Sequence, residues 1–246
     1  MNPDFQQTYH ELEASHWWFV GRRAIVADLL ESIVEDRSAR VLDIGCSSGH
    51  MIEALAARGF QNVEGIDISE SAIERCQQRG ISKSLLMDAG APRLPDASYD
   101  VLIASDVLEH LADDRTSLRA WYRMMRPGGR LIVFVPAFQS LWSDHDVVNH
   151  HYRRYTRGQL TGRLAEAGFT VQRSSYWNSV IFPAAAAVRM VQQWRPPRAQ
   201  PRPDLRPATN ATNQLLRLLI AAENAWHRRL PALAGLSTFA IAEKPS

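Results

Sequence analysis

From residue 40 onward, short apolar runs alternate with amphipathic segments. This is the pattern of a parallel β-sheet whose strands are joined by crossover helices. Seven runs predict strands, at 41–44, 63–66, 84–87, 101–104, 131–135, 169–173 and 238–242. The segments between them predict helices, at 51–58, 70–78, 113–125 and 159–167. The chain is therefore predicted to be an α/β protein.

Turn and cap residues support these boundaries. Gly59 and Gly80 follow two of the predicted helices, and Arg-Pro-Gly-Gly at 126–129 predicts a turn before the fifth strand. Ser69 is the predicted N-cap of helix 70–78, because a serine side chain can accept a hydrogen bond from the first helical turn.

About 60 residues between the sixth and seventh strands are not required by this alternation. They contain two helical patterns, at 180–191 and 213–229. Between these lies the proline-rich stretch 195–207, whose prolines favour extended backbone. We divide the chain into an N-terminal helical lid (1–39), a core domain (40–178 and 236–246) and a helical, Arg/Pro-rich insertion (179–235).

The composition indicates a globular protein in a reducing compartment. Of the 246 residues, 46% are hydrophobic and 22% are charged. The net charge of +2 is too small to predict a nucleic-acid partner. Cys46 and Cys76 cannot form a disulfide framework. The sequence has no secretory signal and no apolar run near the length of a membrane span, so we expect a cytoplasmic protein.

The loop after the first strand, in VLDIGCSSGH (41–50), predicts a site for S-adenosylmethionine (SAM). Its glycines, Gly45 and Gly49, let the backbone approach a ligand closely. A glycine loop by itself also suits a dinucleotide. Here the spacing is D-x-G-x-x-x-G, and Asp43 lies in the strand. A carboxylate there suits the ammonium group of a methionine moiety better than a pyrophosphate.

Acidic residues also end the next two predicted strands. Asp67 lies about 20 residues past the glycines, where a carboxylate can accept hydrogen bonds from two ribose hydroxyls. Asp88 is placed to hold the adenine amino group, with the backbone N–H of Ala89 beside it. One such acid alone is more often solvated, but three at successive strand ends predict a cofactor site. The predicted site also includes Cys46 in the glycine loop, Ile68 next to Asp67, and Ser105 directly after the fourth predicted strand.

Four segments, 41–50, 65–69, 88–111 and 126–136, resemble in order the motifs of class I SAM-dependent methyltransferases. Within that class the chain most resembles the group that includes the ubiquinone-biosynthesis O-methyltransferases. The resemblance implies a Rossmann-like sheet of order 3-2-1-4-5-7-6, with strand 7 antiparallel.

The resemblance also implies roles for the acidic and glycine positions. Asp43, Gly45 and Gly49 would hold the methionine moiety, Asp67 the ribose and Asp88 the adenine. The sequence departs from the family pattern at residue 47, where it has serine and many members have glycine.

The N-terminal segment HWWFVGRR (16–23) has two interpretations. It is either a helix packed on the sheet or a lid over the donor. As a lid, Trp17 or Trp18 would cover the sulfonium, because an aromatic face attracts a cation. Arg22 or Arg23 would then meet a carboxylate. Similar strings recur in a bacterial subset of the family.

The loop SLWSDHDVVNHHYRRYT (140–156) is predicted to face the acceptor. An alcohol or phenol acceptor needs a base, and a histidine suits that role. We predict His145 or His150 as the base, with Asp146 orienting it. His110 is a third candidate, although a structural role is about as plausible for it.

The same loop supplies the predicted acceptor-binding residues Arg153, Arg154 and Tyr155, with the arginines gripping an anionic group. Two histidines and an aspartate of this loop could also bind a metal. These residues are nearly adjacent in sequence, however, and no further cluster of possible metal ligands supports such a site. No metal is therefore predicted.

Eight arginines stand between residues 189 and 229, against Asp204 and Glu223. The insertion either completes the domain as a helical cap or rests on an anionic bilayer through residues 180–230 and receives a lipid-linked acceptor.

The predicted function is methyl transfer from SAM, with transfer to oxygen of a small-molecule, lipid-linked or glycan-linked acceptor. The alternative is a catalytically silent SAM-fold protein that acts as a binding or assembly partner. The complete set of predicted donor residues argues against that alternative.

Overall fold

The fold is built on a seven-stranded sheet. The computed structural model describes residues 9–193, 207–227 and 230–246. The strands are β1 (Arg40–Ile44), β2 (Asn62–Asp67), β3 (Ser84–Leu86), β4 (Tyr99–Ser105), β5 (Met125–Pro136), β6 (Thr170–Trp177) and β7 (Ser237–Glu243). The helices are α1 (Trp17–Ile33), α2 (His50–Ala56), α3 (Glu70–Gln78), α4 (Asp114–Met124), α5 (Asp144–Val148), α6 (Arg157–Glu166), α7 (Phe182–Gln193) and α8 (Asn210–His227). Residues 9–13 are also helical.

The strand order is β3-β2-β1-β4-β5-β7-β6. Strands β1 to β5 pair in parallel, and β7 pairs antiparallel with both β5 and β6. The topology implied by the resemblance is therefore confirmed. In such a sheet the carboxyl ends of β1 and β4 lie side by side, where connections leave in opposite directions and open a crevice for ligands.

Two apolar layers cover the two faces of the sheet. On β1, Val41 packs into one layer and Leu42 into the other. Because both faces are buried, the central strands are almost continuously apolar, which explains why the sequence shows short apolar runs there. Asp43 interrupts this run and is only 4% exposed.

The predicted helix and turn signals are confirmed with one difference. The side chain of Ser69 accepts a hydrogen bond from the Ala72 N–H and caps α3. The turn at 126–129 lies inside β5, because Met125 pairs with Tyr99 and Arg130 pairs with Val101. The four turn residues thus stand opposite one residue of β4, and β5 begins six residues before the predicted strand.

The N-terminal helix and the insertion pack together. The Asn224 side chain donates to the Gly21 carbonyl at 2.9 Å, and the Trp17 N–H donates to Asn213 Oδ1 at 2.8 Å. A helical insertion between β6 and β7 is confirmed by α7 and α8. Its predicted proline-rich loop lies, apart from Pro207, outside the described residues, and the three-part domain division stays a prediction. No helix in the described parts of the chain is long and apolar enough to cross a bilayer.

Candidate active site

The loop after β1 requires glycine at two positions. Gly45 and Gly49 have φ angles of 73° and 83°, which side chains other than glycine rarely adopt. A Cβ atom on Gly45 would lie 2.5 Å from Val107 Cγ2, and one on Gly49 would lie 2.3 Å from Ile81 Cδ1. The predicted glycines therefore allow a close approach of backbone that no larger residue permits.

Ser47 adopts a positive φ of 46°, which explains why glycine is common at this position in the family that the sequence resembles. Its backbone N–H donates to Asp67 Oδ2 at 2.9 Å, and its hydroxyl lies 3.4 Å from His10 Nδ1. The side chain therefore makes a contact that glycine could not make.

The three predicted donor-site acids lie at the carboxyl ends of β1, β2 and β3. Asp67 Oδ1 accepts a hydrogen bond from the Ser69 N–H at 2.9 Å, so this carboxylate joins two loops. Ile68, next to it, is 73% exposed. Asp88 accepts from the Gly90 N–H at 2.7 Å. Their contacts with SAM stay predictions.

Residues 9–13 cover the glycine loop with side chains that the sequence did not predict to lie there. Glu13 accepts hydrogen bonds from the Ser48 hydroxyl and from His10 Nδ1, the latter at 3.1 Å. Although burial acts in the opposite direction, these hydrogen bonds lower the pKa of Glu13. Residues 9–13 carry no recognisable motif, and their position over the loop follows only from the fold.

The donor loop brings buried carboxyl groups close together. Burial, together with the charges of Asp67 and Glu13, raises the pKa of Asp43 well above its usual value. Burial also raises the pKa of Asp67. Buried carboxylates that repel one another are relieved by a bound cation. The residues present therefore fit SAM, which carries an ammonium group and a sulfonium.

A cavity of about 560 Å³ lies beside the end of β4. It is enclosed by the N-terminal segment, the loop after β5 and α7. Its apolar wall includes Trp17, Trp18, Phe19, Ile181 and Val188, and its polar wall includes Asp106, Glu109, His110, His145, His151 and Arg154. An apolar pocket with a few converging polar groups is the usual form of a small-molecule site.

The structure places the three histidines of the loop in different surroundings. His145 lines the cavity, but His150 is exposed and does not line it. His151 lines the cavity, and its Nδ1 lies 2.9 Å from Asp146 Oδ1. Asp146 therefore orients His151 and neither of the two predicted histidines. The reason is local: α5 ends at Val148, and the backbone turns through a positive φ at His150.

The predicted acceptor-binding residues are engaged within the protein. Arg154 is buried and donates to both oxygens of Asp146, each at 2.8 Å. Arg153 and Tyr155 both bind Asp114, at 3.0 and 2.9 Å. Each side chain already has a carboxylate partner, so the structure does not support an anion grip by these three residues.

Arg22 also has internal partners in place of the predicted donor contact. Its guanidinium lies 3.1 Å from Asp106 Oδ2 and donates to Ser237 Oγ at 2.7 Å. It also contacts the predicted donor-site residue Ser105, at 3.4 Å. Arg22 therefore meets a carboxylate, as predicted, but that of the protein itself.

Glu109, His110 and His151 form a polar cluster that was not predicted from the sequence. One ligand-type atom from each lies within 4.8 Å of the others. Glu109 is 1% exposed, and burial and the nearby Asp106 raise its pKa well above its usual value. Burial and the charge of His151 lower the pKa of His110 to about 3. The sequence signal was the pair Glu109-His110 directly after β4.

Comparisons with known proteins find a methyltransferase domain in the sequence and the same fold in solved structures. Residues 42–133 match the family described as "Methyltransferase domain". The chain is 36% identical over 99 residues to the ubiquinone biosynthesis O-methyltransferase of Pseudomonas savastanoi pv. phaseolicola. That match covers 37% of this chain and only 42% of the relative's length.

Two solved structures are similar over nearly the whole chain. One is the putative methyltransferase complexed with the Trm112 methyltransferase activator from Haloferax volcanii, with a TM-score of 0.65, 16% identity and coverage of 99% of this chain and 95% of that one. The other is a SAM-dependent methyltransferase from Mesorhizobium loti, with a TM-score of 0.59, 16% identity and coverage of 88% and 96%. At these identities the likeness concerns the fold.

Proposed function

We propose that this chain is a class I SAM-dependent methyltransferase and that it methylates an oxygen atom of an amphipathic, lipid- or glycan-linked acceptor; the methyltransferase-domain match and the O-methyltransferase relatives support this. The observation that carries the proposal is the cavity of about 560 Å³ beside the end of β4, apolar along one wall and rich in proton-accepting groups along the other.

Tyr9 links the donor site to the cavity. It lines the cavity, and burial together with the carboxylates of Glu13, Asp106, Asp67 and Glu109 raises its pKa well above its usual value. Its hydroxyl is thus within electrostatic reach of carboxylates on both sides. An acceptor in the cavity would lie next to the donor, as in-line transfer requires.

The protein's chemical task is to position the acceptor and to remove a proton. SAM supplies a methyl group on a positively charged sulfur, so the acceptor oxygen gains the methyl group while the carbon–sulfur electron pair returns to sulfur. The hydroxyl proton must leave the acceptor. We place that step at Glu109, His110 and His151, and not at His145 or His150, because His150 is exposed and only His151 is oriented by Asp146.

The outer face of α8 supports a lipid-linked acceptor. Leu215, Leu218 and Trp226 are 58%, 70% and 62% exposed and recur at helical spacing. The inner face of the same helix, with Ile220 and Asn224, is buried. An exposed apolar stripe within an arginine-rich segment is suited to the surface of an anionic bilayer. Peripheral contact of this kind is part of our proposal.

Labelled SAM tests the acceptor class. We expect incubation of the protein with methyl-labelled SAM to label a cell lipid fraction more strongly than a soluble fraction. The double variant Leu218→Glu/Trp226→Glu should reduce labelling of the lipid fraction at least about 10-fold, because charge on the stripe opposes bilayer contact. Affinity for SAM should not change.

Gln214→Glu/Ala221→Glu is the matched control, since it adds the same two charges at exposed positions of α8 that carry no large apolar side chain. It should label lipid almost as well as the unaltered protein. Labelling of only the soluble fraction would reject the lipid-linked acceptor, and labelling of neither would reject the proposed transfer.

SAM affinity should depend on pH through Asp43 and Asp67. The pKa values of both carboxyls are raised in the donor-free protein, so they take up protons at a higher pH than a free aspartate does, and a cationic donor must displace these protons. We expect the affinity to fall as the pH is lowered from about 8 to about 5, with proton release on binding. Calorimetry in two buffers of different ionisation enthalpy measures both effects. Equal affinity across this range would contradict the assigned role.

A further inference from the structure

The cavity wall contains a carboxylate without a partner. Glu109 is 1% exposed, and neither of its carboxylate oxygens has a hydrogen-bond partner among the described residues. A buried carboxylate without hydrogen-bond partners is costly, and Arg22, whose charge acts on Glu109, forms its ion pair with Asp106. Protonation removes the charge but leaves a hydroxyl without a partner. A bound cation would satisfy both oxygens.

Two histidines complete a set of ligands around this carboxylate. His110 and His151 each place a ring nitrogen within 4.8 Å of the other ligand atoms, and their rings meet edge to face at 4.5 Å. This spacing is wider than bound ligands show, so the side chains would close slightly around an ion. In the described part of the chain, no other group of three such ligands is this compact.

The surroundings of His151 are those of a metal-binding histidine. Its Nδ1 is bonded to Asp146, which leaves Nε2 for a ligand. A carboxylate on the far nitrogen fixes the ring orientation and raises the basicity of the ligating nitrogen. Asp146 is itself fixed by Arg154 and by the Ser143 N–H at 2.8 Å. Asp146 thus holds His151, and Arg154 and Ser143 hold Asp146. A loop that is only exposed to solvent does not need such supporting contacts.

We propose that Glu109, His110 and His151 bind one divalent cation, with a two-nitrogen, one-carboxylate set suited to Zn²⁺, Mn²⁺ or Co²⁺. Three protein ligands leave open positions, and all three residues line the cavity. The site is therefore of the catalytic type and not a closed structural one. The sequence predicted no metal, because only histidines and an aspartate close together in one loop were considered as ligands. The proposed site replaces that prediction.

The role of the cation rests on the proposed function. An acceptor hydroxyl on an open position would have its pKa lowered, since a bound divalent cation favours the anionic oxygen. The proton passes to solvent, and the oxygen keeps the electron pair that forms the new bond to carbon. The cluster of Glu109, His110 and His151 would thus promote loss of the proton through the cation that it holds, and not by accepting the proton directly.

Metal binding can be measured without any activity. Chelator-treated full-length protein is titrated with Co²⁺, which gives visible absorption bands when bound, and with Zn²⁺ by calorimetry. We expect one equivalent to bind. Glu109→Gln and His151→Gln should each weaken binding at least about 100-fold, because losing a ligand costs at least as much as losing one of its supporting residues. Mg²⁺, which prefers oxygen ligands, should bind more weakly than Zn²⁺.

His145→Gln is the matched control, because it removes a histidine from the same loop and cavity but not from the cluster. It should keep the affinity for Co²⁺. Titration with S-adenosylhomocysteine should give the same affinity in all variants, which shows that each is folded. If His151→Gln does not fold, Glu109→Gln still tests the site, because this substitution removes a buried charge and leaves the hydrogen-bonded ring of His151 in place.

The outcomes separate this inference from the proposed function. Binding of less than one equivalent at about 100 µM Co²⁺ or Zn²⁺, or unchanged affinity in Glu109→Gln, would overturn the metal site. Methyl transfer that persists after chelation would overturn the metal's role in the reaction while leaving the proposed function intact. Metal binding without labelling of any fraction would support the site and count against the proposed function.

Discussion

Asp43→Asn should weaken SAM binding by about 2–4 kcal/mol, or about 30- to 1,000-fold, because truncating one partner of a buried charge pair costs on this order. Asparagine keeps the size of the side chain and removes its charge. Calorimetric titration with both SAM and S-adenosylhomocysteine measures the effect. Equal losses for the two ligands would place the ammonium group near residue 43, because only SAM carries the sulfonium.

The same substitution should not destabilise the donor-free protein. Burial and neighbouring charge raise the pKa of Asp43 in the folded state, so its ionisation at neutral pH costs stability. This cost appears as the pH rises above the unfolded-state pKa and grows up to the raised folded-state pKa. Asparagine removes it, and the thermal midpoint without donor should stay equal or rise.

Asp36→Asn is the control, since Asp36 is exposed and its carboxylate accepts hydrogen bonds from the Ser38 N–H and hydroxyl. It should leave SAM affinity unchanged. A fall in both affinity and thermal midpoint for Asp43→Asn would indicate that the carboxylate is a structural group of β1 and would contradict its assigned role in donor binding.

The backbone geometry of the glycine loop could be predicted from sequence because its signals are local. Gly45 and Gly49 are required by backbone angles and by contacts with the next loops, and Asp67 lies directly after a strand. Each signal sits where one strand ends, so strand order alone brings them together. The contribution of Glu13 was not predictable in this way, because it depends on how residues 9–13 fold back over the loop.

The acceptor half was predicted less well because side-chain direction in a loop is not set by spacing. His145, His150 and His151 are nearly adjacent in sequence, yet one is exposed and only one contacts Asp146. Arg154 was expected to meet an acceptor, but a buried aspartate in the same loop engages it first. Hydrogen bonds between residues of the loop determine which histidine contacts Asp146 and which group binds Arg154. Amino-acid composition gives no information about such hydrogen bonds.

Arg22→Met should destabilise the protein by about 2–3 kcal/mol, below the usual cost of breaking a buried ion pair, because Arg22 is buried but its partner Asp106 is 30% exposed. The guanidinium lies 4.4 Å from the ring centres of both Phe134 and Trp177 and is bonded to Asp106 and Ser237. Methionine fills much of the volume but leaves the Asp106 carboxylate unpaired. Urea unfolding, with an unchanged m-value, measures the loss.

Arg23→Met is the matched control at the next position of α1. Arg23 donates to the backbone carbonyls of Glu13 and Ala14 and has no buried carboxylate partner, so its replacement should cost about 1 kcal/mol. A similar loss for both variants would contradict the role of the ion pair.

A double-mutant cycle with Asp106→Asn separates the ion pair from packing. If the charge left on Asp106 causes most of the loss, the double variant should be more stable than Arg22→Met alone, and the coupling should exceed about 1 kcal/mol. Since Asp106 lines the cavity, its release should also disturb acceptor labelling while donor affinity is kept. An additive cycle would instead assign the loss to the aromatic contacts of Arg22. In either case the arginine predicted to bind the donor acts by joining α1 to the cavity wall.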